Sequence, residues 1–151
     1  MTTETSLRDT GAVVLDHLRR RERGDIEGDL RHNYAPDVVL LTGLGLFRGL
    51  DGVRTNAKLL ADYLGHPSYT ITNYLCDAET AFIEWTSTGG SARVCDGADS
   101  FVVRDGRIVV QAIHYTVRGE PDAARRHART VAAADREQPP HPLGEDIDGP
   151  H

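Results

Sequence analysis

The sequence predicts an α+β protein in which a curved antiparallel sheet wraps around three helices. Apolar residues recur at helical spacing early in the chain, whereas beyond residue 68 they alternate with polar residues, as they do in strands. Turn residues, among them the hairpin dipeptide Asp105-Gly106, separate the alternating stretches. Helices followed by a meander of strands are typical of a layered fold whose sheet packs on its helices. We therefore expect a cone-shaped sheet with the helices on its concave side.

The three helices are expected to begin and end at recognisable residues. The first covers residues 6–23, where apolar side chains form one stripe. Asp25 caps a short second helix that ends before Pro36. Asp51 is the expected N-cap of the third helix, which ends at Gly65.

Alternating stretches and turns predict six strands and the order ααββαββββ. The expected strands cover residues 38–42, 46–48, 69–76, 80–88, 92–104 and 107–117. A chain of 151 residues fits one domain. We expect this domain over residues 1–118, a C-terminal helix over 119–137, and a disordered, Pro- and Gly-rich tail over 138–151.

Composition argues against several kinds of partner. The formal net charge is −6 and Lys58 is the only lysine, so no basic stripe suited to nucleic acid is present. No apolar run reaches membrane-spanning length and no signal peptide is evident, so we expect a cytoplasmic protein without membrane contact. Cys76 and Cys95 lack zinc or redox spacing and are expected to be buried thiols. Without a phosphate-binding loop or a metal-ligand pattern, neither a cofactor nor a metal is expected.

Four motifs carry a resemblance to a known family. They are Gly24-Asp25-Ile26-Glu27, Tyr34-Ala35-Pro36-Asp37 ahead of a strand, Phe47-Arg48-Gly49-Leu50-Asp51-Gly52-Val53 entering the third helix, and residues 99–108 in the last hairpin. Over about residues 6–118 the chain resembles the nuclear-transport-factor-2-like superfamily, in its SnoaL-like and ketosteroid-isomerase-like branch. The resemblance implies a cystatin-like α+β roll, a ligand-binding pocket and a homodimer. It implies an activity less directly, because members include isomerases, polyketide cyclases, dehydratases, epoxide hydrolases and non-catalytic modules.

The functional residues of these enzymes map only partly onto the chain. In ketosteroid isomerases a protonated aspartate donates to the substrate oxyanion, and Asp99 stands at its spacing. The isomerase base falls on Thr42, which cannot act as a base, and the phenolic donor falls on His17. Trp85 and Ser87 occupy the positions of the Arg and Asp of epoxide hydrolases. Neither reaction is therefore expected by its usual mechanism.

Two residues are the candidates for proton transfer. His114 lies on the last strand, and strict alternation places it on the same face as Ile108 and Ala112. Imidazole titrates near neutral pH, so this residue could take or give a proton. It is also the residue nearest to the acidic position that the cyclases need. The alternative is a core histidine bonded to a backbone carbonyl. Asp99 is either a pocket carboxyl or an exposed turn residue, and the resemblance favours the pocket. If Asp99 and His114 face each other, they form an acid and base pair.

Five further residues are expected to shape the pocket, each with a structural alternative. Tyr34 can point its hydroxyl into the cone or pack the second helix, and Trp85 can contact an aromatic ligand or fill the core. His17 lies at the edge of the buried stripe and is expected to be a hydrogen-bonded structural histidine. Thr42 and Ser87 complete the expected lining.

The sequence therefore supports two hypotheses. The first is a cofactor-free enzyme that isomerises, cyclises, dehydrates or hydrates an apolar metabolite, with His114 as base and Asp99 as donor or orienter. The second is a non-catalytic module that binds a hydrophobic ligand or a protein. Both fit a homodimer joined through the open face of the sheet, to which Val109, Ile113 and Tyr115 would contribute apolar area.

Overall fold

The computed structural model describes residues 7–118, which form three helices and a seven-stranded sheet. The helices are α1 (Thr10–Glu22), α2 (Ile26–Asn33) and α3 (Gly49–Leu64). The strands are β1 (Tyr34–Thr42), β2 (Gly45–Arg48), β3 (Ser68–Asp77), β4 (Thr80–Thr88), β5 (Arg93–Arg104), β6 (Arg107–His114) and β7 (Val117–Arg118). The predicted order is confirmed, with the last predicted strand divided into β6 and β7. The helix and tail expected over 119–137 and 138–151 lie outside the described residues.

The sheet is curved, open and mixed. Its strand order is β2-β1-β6-β5-β4-β3, and β7 pairs with the beginning of β5. All neighbours are antiparallel except β1 and β6, which run parallel. The expected fully antiparallel sheet is corrected at this pair, because the long connection through α3 and the later strands brings the chain back beside β1 in the same direction. The α+β cone is confirmed.

Helix ends follow their capping residues at two of three N-termini. Asp9 accepts a hydrogen bond from Ala12 N at 2.7 Å, and Asp25 accepts one from Gly28 N at 3.0 Å, as predicted for the second helix. The predicted cap of the third helix is wrong. Helix α3 begins at Gly49 directly after β2, so Asp51 lies in its first turn and pairs with Arg54.

The core lies between the helices and the concave face of the sheet. Buried apolar side chains of α1 and α3 meet those of the four central strands, and each contributes roughly 1.5–3 kcal/mol by burial. The largest fully buried ones include Tyr34, Phe47, Phe101, Leu30, Leu40, Leu64, Ile83 and Ile108. Within residues 7–118, no helix combines the length and apolar character needed to cross a membrane.

A β-bulge in β6 reverses the expected faces of the last strand. Ile108 and Val110 pair with neighbouring residues of β5, so the intervening Val109 has no partner. A bulge adds one residue to one strand, and every side chain beyond it changes face. Ile108 and Gln111 are consequently both buried on the concave face, whereas His114 points outward. The expectation that His114 shares the face of Ile108 is corrected.

The convex face also differs from the one expected. Ile113 is only 9% exposed, and Tyr115 packs on Trp85, so neither supplies area to the open face as predicted. The open face instead carries two shallow, mainly apolar depressions of about 550 and 440 Å³. Their shared lining consists of Phe82, Ser100 and Ala112.

The two cysteines are exposed, which corrects the expectation of buried thiols. Cys76 belongs to β3, an edge strand with one neighbour in the sheet and almost no buried side chain. Cys95 lies in the irregular part of β5, where the register with β4 shifts. The sequence of a strand does not show whether the strand lies at the edge or in the centre of the sheet. The burial of Cys76 was therefore predicted wrongly.

Candidate functional site in the cone interior

A buried carboxyl group lies at the centre of the concave face. Asp99 of β5 is 8% exposed and sits in register between Ile83 of β4 and Ile113 of β6. Trp85 Nε1–H donates to its Oδ1 and Gln111 Nε2–H donates to its Oδ2, each at 2.9 Å. Burial raises the pKa of Asp99, and these hydrogen bonds offset the rise only in part. Asp99 is therefore a buried carboxyl with a raised pKa and not an exposed turn residue.

Gln111 joins this carboxyl to a buried phenol. The Tyr34 hydroxyl donates to Gln111 Oε1 at 2.5 Å, while the other end of the same amide holds Asp99. Burial raises the pKa of Tyr34 far above its ordinary value, although the nearby Arg21 opposes this. Tyr34 is consequently a neutral phenol and a hydrogen-bond donor across the physiological pH range.

A histidine and aspartate pair lies opposite, on the helices. His17 of α1 is 4% exposed, and its Nδ1 lies 2.8 Å from Oδ2 of the fully buried Asp29 of α2. Arg21 Nε–H donates to the same oxygen at 2.6 Å, and Asn33 Nδ2–H donates to Oδ1 at 2.9 Å. Burial acts to raise the pKa of Asp29, but the hydrogen bonds and charges of His17 and Arg21 hold it below the ordinary value. An ionised Asp29 holds the Nδ1 side of the His17 ring, so Nε2 is the ring nitrogen that lies outside this pair.

The residues around Asp99 and those around Asp29 form one continuous series of contacts inside the cone, the interior chain. The His17 ring makes edge contacts with the rings of Tyr34 and Phe101, at centroid distances of 5.8 and 5.5 Å. Phe101 lies two residues after Asp99 on the same strand face. Arg21 donates to Asp29, and its charge also acts on the Tyr34 phenol, whose pKa it lowers. The interior chain therefore connects Asp99, whose pKa is raised, to Asp29, whose pKa is lowered.

Aromatic rings border the chain where it approaches the surface. Trp85 contacts Tyr69 and Tyr115 at centroid distances of 5.4 and 6.0 Å, and Tyr63 lies 6.3 Å from Tyr115. Tyr69 is 47% exposed as a residue, yet burial raises the pKa of its phenol, which feels the charges of Arg21 and Asp99. Tyr69 thus extends from the surface toward the interior chain.

The structure brings together four of the seven predicted site residues. Asp99, Trp85, Tyr34 and His17 belong to the interior chain. His114 does not: it pairs with Ala98 on the convex face, its side chain is 74% exposed, and its Nε2 lies 3.8 Å from Asp96 Oδ2. Asp99 and His114 therefore do not face each other.

The other two predicted residues use their hydroxyl groups locally. Thr42 Oγ1 donates to Gly45 O at 3.2 Å and accepts from Leu44 N at 3.1 Å, which closes the turn between β1 and β2. Ser87 Oγ accepts from Val94 N at 3.1 Å where the register of β5 shifts. Neither hydroxyl reaches the interior chain through these bonds.

Sequence reasoning missed three residues of the site. Gln111 interrupts the apolar run of β6, and a polar residue in such a run is a usable signal of a buried hydrogen-bond network. Asp29 and Arg21 gave no comparable signal, because charged residues on short amphipathic helices are usually solvated. In the part of the chain that the structure describes, no group of three or more His, Cys, Asp or Glu residues is arranged to hold a metal ion.

Comparisons with known proteins agree with this architecture. A solved nuclear-transport-factor-2-like protein of unknown function from Cytophaga hutchinsonii is 8% identical, with 76% of this chain and 95% of that chain covered and a TM-score of 0.61. A proposed ketosteroid isomerase from Kribbella flavida is 18% identical, with 93% and 89% covered and a TM-score of 0.59. TerC, co-crystallised with polyporic acid, is 20% identical, with 79% and 96% covered and a TM-score of 0.58. At these low identities, the TM-scores of 0.58–0.61 show a shared fold and nothing further.

Sequence comparison places the chain in one family. None of the curated proteins matches its sequence significantly. The profile of the SnoaL-like domain, however, matches residues 14–111, which is more than half of the chain and contains every residue of the interior chain. The protein therefore belongs to the SnoaL-like domain family, within the nuclear-transport-factor-2-like fold.

Proposed function

We propose that the protein is a cofactor-free enzyme of the SnoaL-like type, which moves a proton on an apolar small molecule held in the cone interior. One observation supports this above all. Two carboxyl groups in one interior network have pKa values displaced in opposite directions, upward for Asp99 and downward for Asp29. Environments that separate two carboxyl groups in this way are typical of sites that use one proton donor and one fixed charge.

The geometry suggests a role for each group. His17, held by Asp29, offers Nε2 as the general base, and general bases typically accelerate a reaction by about 10²–10⁴-fold. Asp99 retains a proton at higher pH than an ordinary aspartate and is suited to donate to a developing oxyanion. These roles replace His114 as the base, while Asp99 keeps the role of donor. Isomerisation, cyclisation and dehydration all use such a pair.

A second function is favoured by a different observation. Both oxygens of Asp99 already accept hydrogen bonds, and two apolar depressions lie on the convex face. A satisfied interior and an apolar outer face fit a non-catalytic module that binds a hydrophobic ligand or a protein. We further propose a cytoplasmic homodimer joined through this convex face.

Hydrogen exchange into a bound molecule distinguishes the two functions. The protein is incubated in D₂O with a panel of apolar ketones, and deuterium incorporation at the carbon next to the carbonyl group is followed by NMR. Catalysis predicts exchange that His17→Asn and Asp99→Asn each lower at least about tenfold, since each removes one proton-transfer group. The amide introduced by His17→Asn retains a donor near the position of Nδ1. His114→Ala is the matched control and should exchange as the wild type does.

Two outcomes count against the enzyme. Exchange at the wild-type rate in both interior variants would remove the proposed roles. Quenching of Trp85 fluorescence by a ligand that shows no exchange would favour the binding module.

A further inference from the structure

We propose that Gln111 is a positioning residue that couples the proton on Asp99 to the direction of the Tyr34 hydroxyl. The inference deepens the proposed function, on which it rests for the role of Asp99, and it adds Tyr34 as a group that can donate to a ligand. It starts from the position of a single buried amide, 3% exposed, whose two ends contact two different functional groups.

The observed arrangement suits an ionised Asp99. A carboxylate only accepts hydrogen bonds, and both of its oxygens receive donors here, from Trp85 and from the nitrogen end of Gln111. The oxygen end of Gln111 then accepts from Tyr34. Every polar atom of Asp99 and both ends of the amide are satisfied in this state.

Protonation of Asp99 requires the amide to turn. The indole of Trp85 only donates, so Oδ1 remains an acceptor and the proton resides on Oδ2. That proton would face the Nε2 hydrogens of Gln111, and two donors cannot bond to each other. Rotation of the amide by half a turn presents Oε1 to the acid and Nε2 to the Tyr34 oxygen. A buried amide is strongly driven to this change because the unrotated state leaves donors unsatisfied.

The rotation releases the Tyr34 hydrogen. In the rotated state the phenol oxygen accepts from Gln111, so its own hydrogen no longer has Gln111 as its acceptor. The Tyr34 ring makes an edge contact with the His17 ring on the interior side of the sheet. Protonated Asp99 therefore converts Tyr34 into a donor available to a ligand, while ionised Asp99 withdraws it.

The groups around Asp99 set where this change occurs on the pH scale. His17 and Arg21 face it from α1, Asp29 lies behind them on α2, and Tyr69 approaches from β3. Among the hydrogen bonds of residues 7–118, the link from Tyr34 to Asp99 runs through Gln111. Removal of the Tyr34 hydroxyl should consequently act on Asp99 through Gln111.

A double-mutant cycle on the protein without substrate tests the coupling. Trp85 is the single tryptophan and donates to Asp99, so its fluorescence and indole NMR signal report the titration. The transition assigned to Asp99 is the one that Asp99→Asn abolishes. Tyr34→Phe should move its midpoint upward by about half to one pH unit, the free energy of one neutral hydrogen bond expressed as a pKa shift. Tyr74→Phe, which removes a phenol hydroxyl on which Cys76 and Asp9 act rather than Asp99, is the control and should leave the midpoint unchanged.

The second half of the cycle uses Gln111→Met, in which Tyr34→Phe should no longer move the midpoint. If Gln111→Met does not fold, Gln111→Asn serves the same purpose, because the shorter amide cannot span the two partners. The inference is overturned if Tyr34→Phe titrates at the wild-type midpoint or if its shift persists without Gln111. Since no substrate is used, this result is independent of the exchange experiment.

Discussion

At the scale of single residues, the site depends on a glycine that leaves room for an indole. A Cβ added to Gly97 would lie 2.2 Å from Cδ2 and 2.3 Å from Cε2 of Trp85. The ring of Trp85 therefore lies flat over the β5 backbone, from where its Nε1 reaches Asp99. The hydrogen bond to Asp99 is made possible by the absence of one methyl group.

We expect Gly97→Ala to displace Trp85 and break its bond to Asp99. Overpacking of this kind costs about 1–3 kcal/mol of unfolding free energy. The expected result is a lower urea midpoint together with a red shift of the Trp85 emission. Gly43→Ala is the control, since no atom lies within 4 Å of a Cβ at that position. Unchanged emission in Gly97→Ala would contradict the packing argument.

The raised pKa of Asp99 predicts the direction in which the unfolding free energy changes with pH. Between the ordinary carboxyl value of 3.8 and the higher pKa in the folded state, the native protein binds more protons than the unfolded chain. The contribution of Asp99 to stability therefore falls as pH rises through this window. Asp99→Asn removes that loss, so its unfolding free energy relative to wild type should increase from pH 4 to pH 7.

Urea unfolding at pH 4, 5.5 and 7 measures this difference. Asp29 is present in both proteins, so its opposite pH dependence cancels from the comparison. A difference that stays constant over the three pH values would show that the folded and unfolded states have the same Asp99 pKa.

At the scale of elements, one unpaired residue decides which side chains enter the cone. The bulge at Val109 turns Gln111 and Ile113 inward and His114 outward. A second register shift, between β4 and β5, separates Val94 from Gly97 on the buried face. The interior polar chain is thus assembled by irregularities in the strands rather than by their alternation.

Deletion of Val109 should destroy the site. Without the bulge, residues from 110 onward would change face, placing Gln111 outside and His114 in the core. The expected result is loss of cooperative thermal unfolding, or a protein without the native Trp85 emission. Val109→Ala keeps the chain length and should retain both signals. A native, cooperatively folded deletion variant would show that the bulge can move along the strand.

At the scale of the whole molecule, the convex face formed by the described residues carries two apolar depressions. The two depressions share Phe82, Ser100 and Ala112, and Leu41 at the edge of one of them is 44% exposed. Exposed apolar patches of this kind mark interaction surfaces. The concave face, in contrast, is covered by the helices.

We expect Ala112→Arg to prevent self-association through this face. The half-buried Ala112 lies between both depressions, and a charge placed there would be desolvated in any interface. Light scattering after size exclusion at micromolar concentration should show a wild-type dimer and a monomeric variant. Lys58→Glu, on α3, is the charge-changing control. A wild-type monomer would count against the proposed homodimer.

Several features could be predicted because local chemistry determines them. Asp25 caps α2 as predicted, because its carboxyl meets an amide three residues away in the chain. Asp105 and Gly106 both adopt positive φ, 52° and 72°, as their hairpin requires. The order of helices and strands follows from similar short-range patterns.

The fold class, the element order and the family could therefore be read from the sequence, as could the burial of Asp99, which the family spacing favoured over an exposed turn. Tertiary structure alone decided that His114 faces outward, that Gln111 faces inward, and that His17 meets Asp29. The physical reason is the distance along the chain between the residues that interact. Caps and turns depend on neighbours in the chain, whereas a bulge depends on the pairing strand, and the contact between His17 and Asp29 depends on how two helices pack.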